Sequence, residues 1–181
     1  MNKVNFLSKV VIAIMVIAIA FSSTTTIFAG NWTIDSFTKT YKWGNGLSSI
    51  SSTAASTYKN YWQNLLPDWR NACGFSLSYS SSSDNELDVY YETSSTAYGY
   101  TVRKEYDLNY VCYTFTSKIN ASKSESQTYS VFRSVGNHEL GHVLGLDDTS
   151  TTYEIMGLNR NRYSIVTPQS ADITKVNNKY N

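Results

Sequence analysis

Two histidines that lie four residues apart constrain the fold of this chain more than any other feature. His138 and His142 are the only histidines among its 181 residues. In an α-helix, residues i and i+4 lie on one face, one turn apart, so both imidazoles can reach a single metal ion. Glu139 lies one position further round the helix, where its carboxylate can face a water on that metal instead of becoming a ligand. This segment therefore predicts a metal-binding helix.

The residues after His142 offer a third ligand. Gly145 follows three positions later, where a helix that ends favours a residue able to adopt a left-handed conformation. The chain can then turn back and bring Asp148 to the metal, with Asp147 as the competing ligand. Two histidines and one carboxylate leave a fourth coordination position open, which is typical of catalytic rather than structural zinc sites. The pattern His-Glu-x-x-His-x-x-Gly-x-x-Asp therefore predicts a catalytic zinc centre.

The segment from about residue 124 to residue 157 resembles the active-site region of the metzincin zinc endopeptidases. Most of that clan have a third histidine where this chain has Asp148. The aspartate is similar to the snapalysin family, and the leucine-rich helix is also similar to bacterial matrixins. Metzincins place a methionine in a tight turn beneath the metal, and Met156 follows the ligands here within Glu-Ile-Met-Gly. The family spacing favours Asp148 over Asp147 as the third ligand.

The resemblance implies an α+β fold of the metzincin-like zincin type. Such a fold has a mixed, mostly parallel twisted sheet, a long backing helix, an active-site helix, a methionine turn and a C-terminal helix. It also implies a zinc metalloendopeptidase that acts on peptides or proteins. His138, His142 and Asp148 would hold one Zn²⁺, and Glu139 would be the general base for a zinc-activated water. Some metzincins have a tyrosine two residues after the turn methionine, but this chain has Leu158 there.

The residues before the metal helix predict a sheet and one long helix. Apolar residues recur at helical spacing over 47–66, and Pro67 is predicted to end that helix. Runs with alternating apolar residues predict strands within 31–42, 75–79, 87–91 and 106–115. The segment 94–101 fits either an edge strand or a loop. In metzincins the edge strand above the cleft pairs with the substrate backbone, and the sequence does not show which strand that is.

Two more helix starts are predicted in the second half of the chain. The sequence Ser-Glu-Ser-Gln at 124–127 fits a capping box that opens the metal-binding helix. Near the end of the chain, Pro168 fits the first position of a C-terminal helix. No internal repeat or linker divides the chain after its first 29 residues, so one domain is expected.

Residues 1–29 fit a secretory signal peptide. Two lysines precede an apolar run over 10–21, and Ala29 is the expected cleavage site. The run is shorter than the ~20 residues of a comfortable membrane span. The mature protein, residues 30–181, is therefore expected to be secreted and extracellular, with no membrane anchor.

The net charge of the mature chain limits the kinds of binding partner that can be expected. The chain has 15 basic and 14 acidic residues, and Lys3 and Lys9 fall in the signal peptide, so the mature net charge is −1. This balance gives no electrostatic reason to expect binding to nucleic acid or to a membrane surface. A monomer is expected. The acidic residues within 84–92 are a weak indication of Ca²⁺, but they lack EF-hand spacing and a solvated face is the favoured interpretation.

The two cysteines, Cys73 and Cys112, favour a disulfide in an oxidising compartment. Closing that loop would stabilise the fold by roughly 3–4 kcal/mol in the chain-entropy model. Two buried free thiols are the alternative. Snapalysin-like enzymes also carry a disulfide, which gives the pairing weak support.

Two other functions stay open from the sequence. The same zinc chemistry could hydrolyse a different amide with narrow specificity, for example in cell-wall material. The chain could also be a non-catalytic binding protein on the same fold. The presence of Glu139 argues against that second alternative, because loss of catalysis commonly removes the base or a ligand.

Overall fold

The computed structural model describes residues 32–181, so the predicted signal peptide 1–29 and its cleavage site lie outside the described residues. No helix within the described range is long and apolar enough to cross a membrane. The described chain forms six strands and four helices. In chain order they are β1 Thr33–Ile34, β2 Thr38–Trp43, α1 Asn45–Ser48, α2 Ser52–Cys73, β3 Ser76–Tyr79, β4 Glu86–Tyr90, β5 Gly99–Tyr106, β6 Val111–Asn120, α3 Tyr129–Val143 and α4 Ser170–Tyr180.

The strands form one mixed, mostly parallel sheet, which confirms the expected class of sheet. Its order is β3-β2-β4-β6-β5, and the short β1 lies beside the first residues of β6, on the side away from β5. The pairs β2–β3, β2–β4, β4–β6 and β1–β6 are parallel. Only β5 is antiparallel to its neighbour among the described strands. The single predicted strand over 31–42 is in fact two strands, β1 and β2.

Strand β5 forms one edge of the sheet. It pairs with β6 from Gly99 to Tyr106 and with no other described strand, so one row of its backbone N–H and C=O groups has no ladder partner. The segment 94–101 therefore contains the start of the edge strand. The predicted strand over 106–115 is wrong in its first part. Residues after Tyr106 turn, Leu108 is 98% exposed, and β6 begins only at Val111.

Helices α2 and α3 pack against each other in the hydrophobic core. Trp62 and Leu65 of α2 are fully buried, and the Phe132 ring of α3 lies edge-on to Trp62 at a centroid distance of 5.4 Å. One turn later in α2, the indole N–H of Trp69 donates to the backbone oxygen of Asn137, 2.9 Å away. This contact joins the long helix to α3 beside His138, one of the predicted metal ligands.

The predicted end of the long helix at Pro67 is wrong. Helix α2 contains Pro67 and continues to Cys73, where Gly74 ends it with a left-handed φ of 84°. A proline inside a helix removes one backbone hydrogen bond and costs about 3 kcal/mol. Because Trp69 is fully buried and bonded to α3, its burial offsets much of that cost.

The starts of the two later helices also differ from the predictions. Residues 124–127 form a short 3₁₀ helix, and α3 begins only at Tyr129 after an extended Thr128. The last helix does not begin at Pro168. It begins at Ser170, because Gln169 and Asp172 form the reciprocal hydrogen bonds of a capping box.

The two cysteines are free thiols in the structure, which corrects the predicted disulfide. Each thiol is directed to a carbonyl of its own element: Cys73 Sγ lies 3.4 Å from the oxygen of Trp69, and Cys112 Sγ lies 3.3 Å from that of Thr114. Burial raises the pKa of both thiols, and that of Cys112 reaches about 11. Neither thiol belongs to the metal-ligand group described below.

Asp88, one of the acidic residues within 84–92, has its partners inside the protein. Asp88 is fully buried and accepts hydrogen bonds from the backbone N–H groups of Gly46 and Leu47, at 3.1 and 2.8 Å. It also pairs with Lys118, whose Nζ lies 3.0 Å away. None of these acids belongs to a metal-ligand group within the described residues. Asp88 therefore stabilises the start of α1 instead of contributing to the weakly indicated calcium site.

Replacing Asp88 by alanine should lower the free energy of unfolding by about 3 kcal/mol, because Lys118 and two backbone donors lose their acceptor. Urea denaturation followed by circular dichroism measures the change. Glu86→Ala is the matched control, since Glu86 pairs with Lys42 and Lys104 at the surface, over 3.9 and 3.4 Å. Its expected loss is below about 1 kcal/mol. Equal losses in the two variants would contradict the assignment.

Candidate metal centre

Helix α3 and the turn that follows it position the two histidines. His138 is buried and His142 is half-buried, and both belong to the last two turns of α3. Gly145 has a φ of 76°, the left-handed conformation expected after the helix. It also lies against the backbone oxygen of Trp32, so a Cβ at this position would overlap that atom. Glycine is therefore required here by both backbone conformation and space.

The turn brings Asp148 to the histidines. Asp148 Oδ1 lies 3.0 Å from His138 Nε2 and 3.6 Å from His142 Nε2. One ligand atom from each residue lies within 4.8 Å of the others, so the three side chains could hold a metal ion. Asp148 Oδ1 is buried and has no hydrogen-bond partner, which a coordinated cation would explain. Asp147 is exposed and does not join the group.

Backbone carbonyls orient both imidazole rings. Nδ1 of His138 lies 2.9 Å from the oxygen of Ile155, and Nδ1 of His142 lies 2.9 Å from the oxygen of Leu146. A carbonyl oxygen only accepts, so these contacts favour the tautomer in which each Nδ1 carries the proton and donates it. Arg160 Nη1, which is also a donor, lies further from the Nδ1 of His138, at 3.2 Å. Each Nε2 is then an unprotonated nitrogen that faces Asp148, as metal-binding histidines require.

The turn beneath the two histidines also helps to hold them in place. Met156 is fully buried, and Gly141 of α3 lies directly against its sulfur. The backbone N–H groups of Ile155 and Met156 donate to the Asp172 carboxylate, at 2.8 and 3.2 Å. Because the oxygen of Ile155 in turn accepts from His138, helix α4 holds the turn that orients this ligand. Asp172 was not predicted from the sequence, because Gln169 three residues earlier is not a preferred N-cap residue.

Glu139 lies beside the ligands with its carboxylate enclosed. The hydroxyl of Thr101 on β5 lies 3.0 Å from Oε2, and a Cβ at Gly99 would lie only 2.7 Å from Oε1. Burial raises the pKa of Glu139 to about 7, and His142 and Thr101 partly oppose that rise. A carboxyl group with a near-neutral pKa can both take up and release a proton, as a general base needs. A cation held by the neighbouring ligands would lower this pKa.

A cleft of about 790 Å³ runs between β5 and α3 across these side chains. His138, Glu139 and His142 line its centre. Trp32 and Arg103 line one end, where the Arg103 guanidinium lies 5.3 Å from the centre of the Trp32 ring. This volume falls within the usual range for small-molecule pockets. A substrate bound in the cleft can therefore contact the candidate metal-binding residues.

Arg160 is a further site residue that sequence analysis missed. Its buried guanidinium donates to the backbone oxygens of Gly157 and Ser134, at 2.9 and 3.2 Å, and to the Ser134 hydroxyl at 3.1 Å. It thereby joins α3 to the turn that contains Met156. Burial, followed by the charge of Arg162, lowers the pKa of Arg160 to about 10. The polar sequence Asn-Arg-Asn-Arg around it contains no signal that distinguishes a buried arginine from an exposed one.

No protein-family model matches the chain, and no curated protein matches it with significant similarity. The resemblance to metzincins therefore rests on the sequence motif within residues 124–157. Independently of that motif, the geometry of His138, His142 and Asp148 is compatible with a bound metal ion.

Proposed function

We propose that this protein is a secreted, zinc-dependent metalloendopeptidase of the metzincin type. The observation that carries the proposal is the grouping of His138, His142 and Asp148 within reach of one metal ion. Oδ1 of Asp148 is buried and has no hydrogen-bond donor. Glu139 lies beside this group and lines the same cleft. Secretion rests on the predicted signal peptide at 1–29.

The donor set favours zinc among the common metals. Two imidazole nitrogens and one carboxylate oxygen match the three-ligand sets of catalytic zinc sites, whereas calcium and magnesium prefer oxygen ligands alone. When bound, zinc would polarise the substrate carbonyl and lower the pKa of a coordinated water. The carbonyl oxygens of Ile155 and Leu146 already hold both rings in the orientation that such binding needs.

Glu139 would move the proton during hydrolysis. Its carboxylate takes a proton from the attacking water and passes it to the nitrogen of the leaving amine. Thr101 lies within hydrogen-bond distance of Oε2 and limits the rotation of the carboxylate. Gly99 approaches Oε1 so closely that position 99 has no room for a side chain.

The free edge of β5 favours a peptide substrate over another amide. Residues Gly99 to Arg103 of β5 line the cleft, and this strand has no ladder partner on its outer side. An extended peptide can add to such an edge through backbone hydrogen bonds, and this mode of binding is independent of most of its side chains. The scissile bond would then lie over the metal ligands and Glu139.

Cleavage of a quenched fluorescent casein tests this function. The protein without its predicted signal peptide should release fluorescence, a zinc chelator should abolish the release, and added zinc should restore it. A zinc-loaded protein that cleaves no casein would contradict a general endopeptidase and favour the narrow amide hydrolase or the binding protein.

Replacing Asp172 by asparagine should weaken zinc binding by about 10- to 100-fold, the usual effect of losing an outer support of a metal ligand. The amide can accept only through one oxygen, so the N–H groups of Ile155 and Met156 lose one of their two acceptors. Competition with a zinc indicator measures the affinity. Asp107→Asn, the same change in an exposed turn, should leave it unaltered. An Asp172 variant with wild-type zinc affinity would contradict the role of α4.

A further inference from the structure

The end of the cleft beside Val135 carries two arginines. Arg160 and Arg162 both line it, together with Val135 and Tyr98. Neither guanidinium forms an ion pair with any carboxylate of the described residues. Two positively charged side chains therefore line this end of the cleft, and neither has an ion-pair partner among the described residues.

Arg162 has free donors and a defined orientation. Its guanidinium carbon lies 4.2 Å from the centre of the Tyr98 ring, a cation–π contact that restrains the side chain. Its Nε is buried, yet no acceptor lies within hydrogen-bond distance. A buried N–H without an acceptor is costly, so a ligand that accepts from Arg162 would recover that free energy on binding.

Arg160 strengthens the positive potential behind Arg162. Its own donors are used by carbonyl and hydroxyl oxygens of α3 and the following turn, so it stays in place whether or not a ligand binds. Two guanidinium groups that line one end of the cleft give it a positive potential that favours an anionic ligand.

The acidic groups of the cleft lie elsewhere. Glu139 and Asp148 are at its centre, and Asp147 lies towards the other end, where its charge acts on Arg103 and Lys179. The charge of the cleft is thus asymmetric. The end beside Arg162 is lined by two arginines, and Glu139 is the acid nearest to it.

The direction of β5 indicates which part of a substrate reaches this end. Gly99, where β5 begins, lies against Glu139 and Val135, and Arg103, further along, donates to the backbone oxygen of His142. A peptide that adds antiparallel to β5, the commoner pairing, runs the opposite way. Its residues after the scissile bond then lie at the end of the cleft that contains Arg162.

We propose that Arg162, with Arg160 behind it, binds a carboxylate of the substrate on the C-terminal side of the scissile bond. That carboxylate is either the side chain of an aspartate or glutamate or the free terminus of a short peptide. The proposal rests on the endopeptidase function above and adds a specificity-determining residue to it.

Matched peptides test the preference. Quenched fluorescent peptides that differ only in Glu, Gln or Lys after the cleaved bond are compared by kcat/KM, and mass spectrometry of the products locates the cleavage. Wild type should prefer Glu over Gln by about tenfold or more, as expected for a charge-assisted contact to arginine. A second pair, short peptides with a free or an amidated C-terminus, shows which source of carboxylate is used.

Variants test the residue. Arg162→Gln should reduce the preference for Glu over Gln to about one, and Arg162→Glu should favour the Lys peptide, because the charge that selects the substrate is reversed. Arg70→Gln, the same change at an exposed position of α2, is the matched control and should keep the wild-type preference. Zinc content and circular dichroism show whether each variant is folded. The comparison of Glu and Gln peptides with the wild-type protein tests the preference even if a variant does not fold.

The outcomes separate this proposal from the function on which it rests. Zinc-dependent cleavage with no preference for Glu, or a preference that survives Arg162→Gln, would overturn the role of Arg162 alone. No cleavage of any peptide would overturn the endopeptidase. In that case, fluorescence anisotropy with the zinc-loaded Glu139→Gln variant still decides the carboxylate site, since the Glu peptide should bind about tenfold more tightly than the Gln peptide.

Discussion

Replacing Glu139 by glutamine should lower kcat by about 10²- to 10⁴-fold while zinc binding is retained. Glutamine has the same shape as glutamate and can still accept a hydrogen bond from Thr101, so the cleft should keep its structure. The amide cannot take a proton from water, however, and the transfer to the leaving amine is lost. The expected variant is therefore folded, metal-loaded and nearly inactive.

This prediction is measured by kcat on a single peptide together with zinc content by mass spectrometry. Glu125→Gln, in the exposed 3₁₀ helix before α3, is the matched control and should keep wild-type kcat and zinc content. A Glu139→Gln variant that binds one zinc and retains wild-type kcat would show that Glu139 is not the base.

Replacing Asp148 by alanine should weaken zinc binding by about 100-fold or more. Zinc sites with four protein ligands bind with about 10–16 kcal/mol, so each ligand contributes roughly 3 kcal/mol. The loss leaves only the two imidazoles, His138 and His142, of the present group. Peptidase activity should fall in parallel at limiting zinc, because the metal would no longer be held.

Two further variants distinguish ligand loss from a general disturbance of the site. Asp148→His should retain most of the zinc affinity, since a third imidazole can replace the carboxylate as a ligand. Asp147→Ala should bind zinc as tightly as wild type, because Asp147 is exposed and outside the group. If Asp147→Ala loses zinc and Asp148→Ala does not, the two neighbouring aspartates have been assigned in the wrong order.

The grouping of the three candidate ligands was predictable because its geometry is local. The spacing of His138 and His142 follows from the pitch of one helix, and Asp148 reaches them through a turn that Gly145 permits. A short segment therefore contains the information that brings all three together. The mostly parallel sheet was likewise expected, although as an implication of the family resemblance rather than of the strand patterns.

The supports of the site were not predictable from local patterns. Asp172 reaches the N–H groups of Ile155 and Met156 from a different helix, and Arg160 reaches Ser134 from a loop. Such contacts depend on how the elements pack, which the order of residues along the chain does not show. An aspartate in the first turn of a helix is favoured by the helix dipole alone, so it does not indicate a contact with another element.

Two expectations from local rules were wrong, one at Pro67 and one at the cysteines. Pro67 is a helix breaker by propensity, yet α2 continues because Trp69 is buried against α3. An even number of cysteines favours a disulfide, yet each thiol is directed to a carbonyl of its own element. A tertiary contact therefore overrides the propensity of Pro67, whereas the contacts of the two thiols are local.

We propose that one metal ion, held by His138, His142 and Asp148, is required for peptide hydrolysis. The most direct test is to remove metal from the purified protein with a chelator and to follow casein cleavage while zinc is added back in known amounts. We expect no cleavage without zinc and a linear rise in activity that ends at one zinc per protein molecule. Cleavage that persists without metal, or a protein saturated with zinc that cleaves nothing, would contradict it.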